Sequence, residues 1–269
     1  MSMLDLRDVV VTHKRPGGDP VRAVRGVSLT VERGQVVGLV GESGCGKSSL
    51  ARVASGLEAP TSGEALFEGR PLHALKARRR PAEDRRLQMV FQNPYASLSP
   101  RRTIASQLLD GLPGRVDRGA RLAEAERLLE LVGLPTDAAK RYPSQFSGGQ
   151  RQRLAIARAL AADPRLVVAD EPVTALDAFS SAQIVRLLQT LVAELDMAML
   201  FISHDLSLVR AIADETCVMY AGEIVERGPS EQIWNDPQHD YTKALIAAIP
   251  EIGPEKRLPG IDTTDEEQE

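Results

Sequence analysis

Short apolar runs alternate along the chain with longer stretches in which apolar residues recur at helical spacing. The short runs are rich in β-branched residues, as is typical of buried strands. They predict strands at Val36–Val40, Leu166–Ala169, Met199–Ser203 and Thr216–Tyr220, and a hairpin strand at Glu223–Glu226. Because these strands alternate with helices, we expect an α/β domain built on a largely parallel sheet.

The longer stretches predict helices that each bury one face. One such face comprises Ile184, Leu187, Leu188, Leu191, Val192 and Leu195, and another comprises Leu122, Leu128, Leu129 and Val132 ahead of Gly133. Residues 96–160 have little strand character, which predicts a helical insertion within a domain spanning residues 1–252. The segment 253–269 is rich in Pro and acidic residues, which predicts a flexible acidic tail.

A complete phosphate-binding loop follows the first of the predicted strands. Residues 36–50 read VVGLVGESGCGKSSL, in which Gly41, Gly46, Lys47 and Ser48 form the pattern G-x-x-x-x-G-K-S between a strand and a helix. The glycines let backbone N–H groups turn toward a phosphate, and Lys47 adds a positive charge for the β- and γ-phosphates. The Ser48 hydroxyl can bind Mg²⁺. The loop therefore predicts binding of a nucleoside triphosphate with Mg²⁺.

Two adjacent carboxylates, Asp170 and Glu171, follow another predicted strand. Ligands of α/β sheets bind at the carboxyl ends of the strands, so both acids are expected beside the phosphate loop. Asp170 is suited to Mg²⁺, and Glu171 to acting as general base on an attacking water. If the strand continued, the two side chains would point to opposite sides of the chain. Adjacent acids are often surface residues, and the upstream loop is what favours the catalytic interpretation.

Two further polar residues end short apolar runs in the same way. His204 follows Phe201-Ile-Ser and could contact the γ-phosphate, and Gln92 follows Met89-Val-Phe and could reach Mg²⁺ or the attacking water. A single polar residue at a strand end more often has a structural role, with its hydrogen bonds made within the fold. Their shared position after strands favours a role in the site.

A second glycine pair stands at a predicted helix start. Residues 146–160 read FSGGQRQRLAIARAL, with Gly148 and Gly149 at the start of a helical pattern and no Lys after them. The start of a helix can bind an anion through its free N–H groups. This chain therefore carries two candidate phosphate-binding elements, of which one lacks the lysine.

The composition excludes several classes of protein. Of 269 residues, 43% are hydrophobic, enough for a sizeable core, and the net charge of −4 argues against nucleic acid as a partner. No apolar run approaches the ~18 residues needed to cross a bilayer, and the N-terminus lacks the layout of a signal peptide. Cys45 and Cys217 have neither metal-binding nor disulfide spacing. We expect a reducing, cytosolic setting.

With these motifs in this order, the chain resembles the ATP-binding subunits of ABC transporters. The resemblance implies a Walker A motif at Gly41–Ser48, a Q-loop glutamine at Gln92, a signature at Phe146–Gln150, a Walker B motif ending at Asp170 with Glu171 beside it, a D-loop at Ala175–Asp177 and a switch histidine at His204. Residues 90–104, 141–160, 203–214 and 219–250 resemble the oligopeptide/dipeptide (and nickel) importer subunits in particular.

The resemblance implies the fold of a P-loop NTPase of the ABC ATPase type, with a RecA-like core, an antiparallel β subdomain and a helical signature subdomain. It implies ATP and Mg²⁺ as cofactors and Glu171, His204 and Gln92 as catalytic residues. Mg²⁺ would be held by Ser48, Gln92 and Asp170. The further nucleotide contacts that it implies are His13, Glu42, Ser43, Gly44, Cys45, Ser49, Ser147, Gly148, Gly149, Gln150 and Asp177.

The partners are likewise implied by the resemblance. Two such subunits pack head to tail around two ATP molecules, so that the signature of one meets the γ-phosphate held by Lys47 of the other. The second subunit is expected to be a paralogue rather than an identical copy. The pair would act on transmembrane permease subunits at the cytoplasmic face of the membrane, and indirectly on an extracytoplasmic solute-binding protein. No nucleic acid partner is expected.

Other functions are compatible with parts of this pattern. An ABC-type ATPase acting on nucleic acid or ribosomes usually has tandem cassettes or a long coiled coil, and neither is present. A regulatory subunit that binds ATP without hydrolysing it is disfavoured by Glu171 and His204. The sequence also leaves nickel, an opine or a sugar open as alternatives to a peptide cargo.

The chain departs from many relatives in two places. His13 stands near the position where many relatives have an aromatic residue that stacks on adenine. No Cys follows Cys217, which argues against an iron–sulfur cluster in the tail.

Overall fold

The structure is a computed structural model that describes residues 2–15, 17–72, 83–112, 117 and 120–249. The tail predicted at 253–269 lies outside the described residues.

An antiparallel sheet in the order β2-β1-β4-β5 is formed by β1 (Ser2–Arg15), β2 (Gly18–Glu32), β4 (Ser62–Phe67) and β5 (Arg70–Pro71). The sequence pattern did not predict β1. Its pairing with β2 shifts register several times, and Asp8 has a φ of 46°, so the alternation of buried and exposed residues changes phase within the strand.

The second sheet is mostly parallel and has the order β10-β9-β3-β8-β7-β6. Its strands are β3 (Val36–Val40), β6 (Leu87–Val90), β7 (Leu166–Asp170), β8 (Ala198–Ser203), β9 (Glu215–Tyr220) and β10 (Glu223–Pro229). Only the β9–β10 hairpin is antiparallel among the strand pairs of this sheet that the structure describes. The predicted α/β class is confirmed, with bounds that agree to within a few residues.

The helices flank this sheet and fill the region between β6 and β7. They are α1 (Lys47–Ala54), α2 (Pro94–Ser97), α3 (Ile104–Leu108), α4 (Ala120–Leu131), α5 (Gly148–Leu160), α6 (Ala178–Leu195), α7 (Leu206–Ile212), α8 (Ser230–Asn235) and α9 (Asp240–Ala247), with 3₁₀ turns at Glu83–Arg86, Thr136–Lys140 and Pro143–Gln145. Within 96–160, the described residues form helices and no strand. The division of the chain at 252 and the limits of a separate helical subdomain stay predictions. Across the described ranges, no helix has the length and apolar character that crossing a membrane requires.

The predicted buried faces of α4 and α6 are correct except at their ends. Leu122 near the start of α4 and Leu195 at the end of α6 are 42% and 40% exposed. The other predicted positions are buried, apart from the half-buried Leu187.

The central strands β3, β7 and β8 of the mostly parallel sheet are buried on both faces, as their nearly continuous apolar sequences require. In β3, Val36 and Val40 belong to the apolar cluster that includes residues of α3–α7, whereas Val37 and Leu39 belong to the cluster that includes the antiparallel sheet and α1. The carboxyl ends of β3, β6, β7 and β8 therefore meet at a single edge, and the candidate site lies there.

Candidate nucleotide-binding site

The phosphate loop, which we call the P-loop (residues 41–48), joins β3 to α1 and lies between the two sheets. A Cβ at Gly41 would lie 2.1 Å from the Met219 carbonyl oxygen of β9, and a Cβ at Gly46 would lie 2.2 Å from the Ala23 carbonyl oxygen of β2. Real Cβ atoms do not approach backbone this closely, and Gly46 also has a φ of 114°. These two positions accept only glycine without a shift of the strands.

Lys47 is the first residue of α1 and is almost completely buried. Its Nζ donates to the carbonyl oxygens of Gly41 at 2.7 Å and Glu42 at 2.8 Å. Among the described residues no salt bridge neutralises its charge, which leaves the ammonium available for an anion. Beside it, burial raises the pKa of the Cys45 thiol, so the thiol is neutral at physiological pH.

The start of α1 has the features of an anion-binding helix terminus. Gly46 provides no side-chain cap, so the N–H groups of the first turn have no partner from a capping side chain. The positive end of the helix dipole and the Lys47 ammonium meet at the same point. The loop can therefore hold a negatively charged phosphate.

Asp170 ends β7 beside the P-loop and is buried, with 8% of its surface exposed. The Ser48 hydroxyl donates to its Oδ1 at 3.3 Å. Burial raises the pKa of Asp170, and the neighbouring Glu171 charge adds to this, while the Ser48 hydrogen bond opposes it. Hard oxygen ligands of this kind fit Mg²⁺, whose charge would offset the cost of burying the carboxylate.

Glu171 follows directly in a left-handed conformation, with a φ of 47°. Its N–H donates to the Ile202 carbonyl oxygen at 2.9 Å, while β7 has already ended at Asp170. The strand therefore does not continue, and the opposite orientation expected for a continued strand does not apply. The turn instead directs the Glu171 side chain toward the residues that follow β6 and β8. Backbone of this kind is uncommon for a residue other than glycine and is often found at functional sites.

Three side chains converge on Oε2 of Glu171. Gln92 Nε2 donates to it at 3.1 Å, Thr174 Oγ1 donates at 2.9 Å, and His204 Nδ1 lies 3.5 Å away. The side chain of Glu171 is only 15% exposed, so these contacts determine where it points. The two sequence-predicted residues Gln92 and His204 are thus brought together around the predicted base.

Thr174 was not predicted from the sequence. It reaches Glu171 because the chain turns after β7, with the Thr174 N–H donating to the Glu171 carbonyl oxygen at 3.3 Å. A hydroxyl three residues after an acid is a common local hydrogen-bonding pattern, but it carries meaning only when the acid itself has been identified.

His13 lies near the end of β1, where its Nε2 is 2.9 Å from the Ser49 hydroxyl of α1. Its Nδ1 is 3.7 Å from Glu58. The ring is therefore held beside the P-loop helix. Whether it stacks on a base stays a prediction.

The signature residues form the start of α5. Ser147 is the N-cap, its hydroxyl accepts from the Gln150 N–H at 3.3 Å, and Gln150 Oε1 accepts from the Ser147 N–H at 3.0 Å. Asp177 caps α6 in a similar way, accepting from the Ser180 N–H and hydroxyl, and these bonds lower the Asp177 pKa. No hydrogen bond or ion pair joins residues 147–150 to residues 41–49, all of which the structure describes.

The burial of Asp170 leads to a prediction about stability. We expect Asp170→Asn to raise the Tm of the nucleotide-free protein by about 2–4 °C at pH 7.5, roughly the effect of 1 kcal/mol in a chain of this size. Because the folded-state pKa is raised, the cost of the charge is present above that pKa and absent below the unfolded value.

The gain should therefore shrink as the pH is lowered toward 4, which a series of thermal melts between pH 4 and 8 would show. Glu223→Gln, at an exposed position on β10, is the control for a general loss of negative charge. A lower Tm for Asp170→Asn at pH 7.5 would contradict the prediction.

Fold and site together define an ATP-binding cassette of the P-loop type. Residues 24–174 match the family model described as ABC transporter, and residues 225–269 match the oligopeptide/dipeptide transporter C-terminal region. The oligopeptide transport ATP-binding protein OppF of Bacillus subtilis is 46% identical over 92% of this chain and 82% of its own length. The dipeptide transport ATP-binding protein DppF of Haemophilus influenzae is 47% identical over 91% of this chain and 76% of its own.

Solved structures agree with this comparison. A dimeric ATP-binding cassette in a post-hydrolysis state, bound to ADP and Pi, superposes with a TM-score of 0.75 at 29% identity, covering 85% of this chain and 99% of that one. The chain therefore belongs to the ABC transporter family of ATPases, among the oligopeptide and dipeptide transport ATP-binding proteins. The family and fold predicted from the motifs are confirmed.

Proposed function

We propose that the chain binds ATP with Mg²⁺ at the P-loop and hydrolyses it to power an importer of oligopeptides or dipeptides. The convergence of Gln92, Thr174 and His204 on Glu171, beside a P-loop with an unneutralised lysine, is the observation that carries the ATPase part. The relatives' names support peptide as the cargo.

In the proposed reaction the Lys47 ammonium and the first-turn N–H groups of α1 hold the β- and γ-phosphates. Ser48 and Asp170, with the Gln92 amide oxygen, would hold Mg²⁺, which neutralises charge on the phosphate oxygens when bound. Glu171 accepts a proton from the attacking water. His204, whose Nδ1 lies 3.5 Å from Oε2 of the same carboxylate, can contact the γ-phosphate and respond to its loss.

We propose that the start of α5 completes the site of a second cassette. A Cβ added at Gly148 or Gly149 would have its nearest neighbours at 3.4 and 3.6 Å, which is ordinary contact. Packing within the chain therefore does not require glycine there, although each glycine disfavours a helix by ~1 kcal/mol relative to alanine. Close approach of a group from outside, the phosphate held by a partner, accounts for both glycines. The dimeric structural relative bound to ADP and Pi supports this arrangement.

A groove beside the Q-loop offers a surface for the permease subunits. It has a volume of about 560 Å³ and lies between the end of β6, the residues that follow α3 and the last turns of α5. Its lining includes Met89, the exposed Phe91 and Arg158. Because Gln92 follows Phe91 directly, a partner in this groove would be mechanically connected to the catalytic carboxylate. We place the chain at the cytoplasmic face of the membrane through this contact.

Growth and capture experiments test the proposal. A strain without this chain should fail to grow on di- to hexapeptides that supply a required amino acid, and should grow normally on the free amino acid. Reintroducing the wild-type chain should restore growth on peptides, and the Glu171→Gln chain should not.

A tagged Glu171→Gln chain should co-purify with a polytopic membrane protein. Growth on peptides without the chain would exclude peptide cargo, and capture of ribosomes or nucleic acid instead would exclude a transporter.

A further inference from the structure

The C-terminal helix α9 makes a direct contact with the P-loop. Tyr241, in the first turn of α9, accepts a hydrogen bond through its hydroxyl oxygen from the Glu42 N–H at 3.0 Å. The carbonyl oxygen of the same Glu42 accepts from Lys47 Nζ at 2.8 Å. One residue thus connects α9 on its amide side to the phosphate-binding lysine on its carbonyl side.

The Tyr241 ring is itself held in place from the sheet. It packs on the Tyr220 ring with centroids 4.3 Å apart and planes inclined by 38°. Tyr220 is the last residue of β9 and follows Met219, whose carbonyl oxygen faces Gly41. The hydroxyl that reaches Glu42 is therefore positioned by the strand that also contacts the start of the P-loop.

The start of α9 is anchored as well. The Glu226 carboxylate of β10 accepts from the Gln238 N–H at 2.7 Å and from the His239 N–H at 3.0 Å. His239 in turn accepts from the Tyr241 N–H through Nδ1 at 3.1 Å. These bonds fix the first turn of the helix, and with it the direction of the Tyr241 side chain.

We propose that Tyr241 is a positioning residue that holds the Gly41–Glu42 peptide unit in the orientation in which the P-loop binds nucleotide. The inference rests on the proposed ATP site. Glu42 is exposed, so without the phenol its N–H would turn to water and the peptide would be free to rotate. Rotation would withdraw the Gly41 carbonyl oxygen, which shares a peptide unit with the Glu42 N–H and is one of the two that hold Lys47. Nucleotide binding would then have to order the loop. The C-terminal region would thereby set the affinity for nucleotide without contacting it.

The chain provides a matched pair of variants. Tyr241→Phe removes the hydroxyl that reaches the P-loop and keeps the ring packing. Tyr220→Phe removes the hydroxyl of the neighbouring ring, which makes no hydrogen bond with any residue in the described part of the chain. Both remove a single oxygen from the same aromatic pair, so a difference between them reports the bond to Glu42.

Isothermal titration calorimetry of the full chain with Mg²⁺ and either AMP-PNP or ADP tests the proposal. We expect Tyr241→Phe to raise the Kd for both nucleotides by the same factor, about three- to tenfold, the range for a lost hydrogen bond. Tyr220→Phe should stay within about twofold of wild type in Kd, and the Tm of Tyr241→Phe should fall by no more than about 2–4 °C, so that both variants are folded during the titration. Hydrogen exchange should become faster at the Glu42 amide in Tyr241→Phe only.

Equal affinities in the two variants would overturn the proposal. So would weaker binding of AMP-PNP alone, because that result would indicate direct contact with the γ-phosphate instead of positioning of the loop. Failure of the wild-type chain to bind either nucleotide would refute the proposed ATP site. Normal binding by the wild-type chain together with equal affinities in the two variants would refute only the role of Tyr241.

Discussion

Glu171→Gln is expected to lower ATP turnover by at least ~10²-fold while ATP binding is retained, the scale of a lost general base. The Gln side chain has the same shape, and its amide oxygen can still accept from Gln92 and Thr174, which now reach Oε2 of Glu171. The geometry of the site should therefore persist. The amide cannot accept a proton from water, and this is the function that is lost.

Steady-state phosphate release, measured beside the affinity for ATP, separates the two properties. Glu223→Gln is the control for removal of a carboxylate remote from the site, and should hydrolyse ATP at the wild-type rate. Turnover within tenfold of wild type in Glu171→Gln would remove Glu171 from the role of base. Loss of ATP binding in the same variant would instead indicate that the carboxylate supports the structure of the site.

Ser147→Arg is expected to weaken ATP-driven pairing of cassettes by at least about tenfold while a single chain still binds ATP. Ser147 is exposed at the start of α5, and its described hydrogen bonds are made with Gln150 and not with the P-loop of its own chain. An arginine there would over-fill the space where a partner's phosphate approaches, at a cost of about 1–3 kcal/mol per site. We therefore expect the association constant to fall by at least about tenfold.

Gel filtration with ATP in the Glu171→Gln background, with the chain alone and mixed with its partner subunit, measures this effect. Ser147→Ala removes only the capping hydroxyl, and should weaken the helix start by about 1 kcal/mol without blocking pairing. Thr190→Arg adds the same bulk to the exposed side of α6 and should pair normally. An unchanged amount of dimer in Ser147→Arg would refute the interfacial role of the signature.

The P-loop and the strands of the mostly parallel sheet could be predicted because local pattern determines them. Val36–Val40 is apolar at each position but Gly38 and buried on both faces, so strand and loop follow from neighbouring residues. The antiparallel sheet was different. In β1 the register shifts around Asp8 interrupt the alternation of apolar and polar residues from which a strand is recognised in the sequence. The segment is a strand because it pairs with β2, and that pairing is not visible in the local pattern.

The arrangement of the site depended on contacts that sequence spacing does not encode. Gln92 and His204 were placed after strands from the pattern, but their meeting point on Glu171 follows from the left-handed turn after Asp170. That conformation is disfavoured for a glutamate by itself. Tyr241 is 199 residues from Glu42 in the chain, and only the completed sheet brings the two together.

The position of the P-loop between the two sheets has a genetic consequence. Gly41 and Gly46 each face a strand carbonyl oxygen, one in either sheet, so a side chain at Gly46 would prevent the sheets from assembling in addition to obstructing phosphate. We therefore expect a chain altered at Gly46 not to fold, and we expect such an allele to be recessive to a wild-type copy. Under the proposed function, a chain altered at Glu171 is expected to fold, to occupy the transporter and to stall it, so that allele is expected to be dominant.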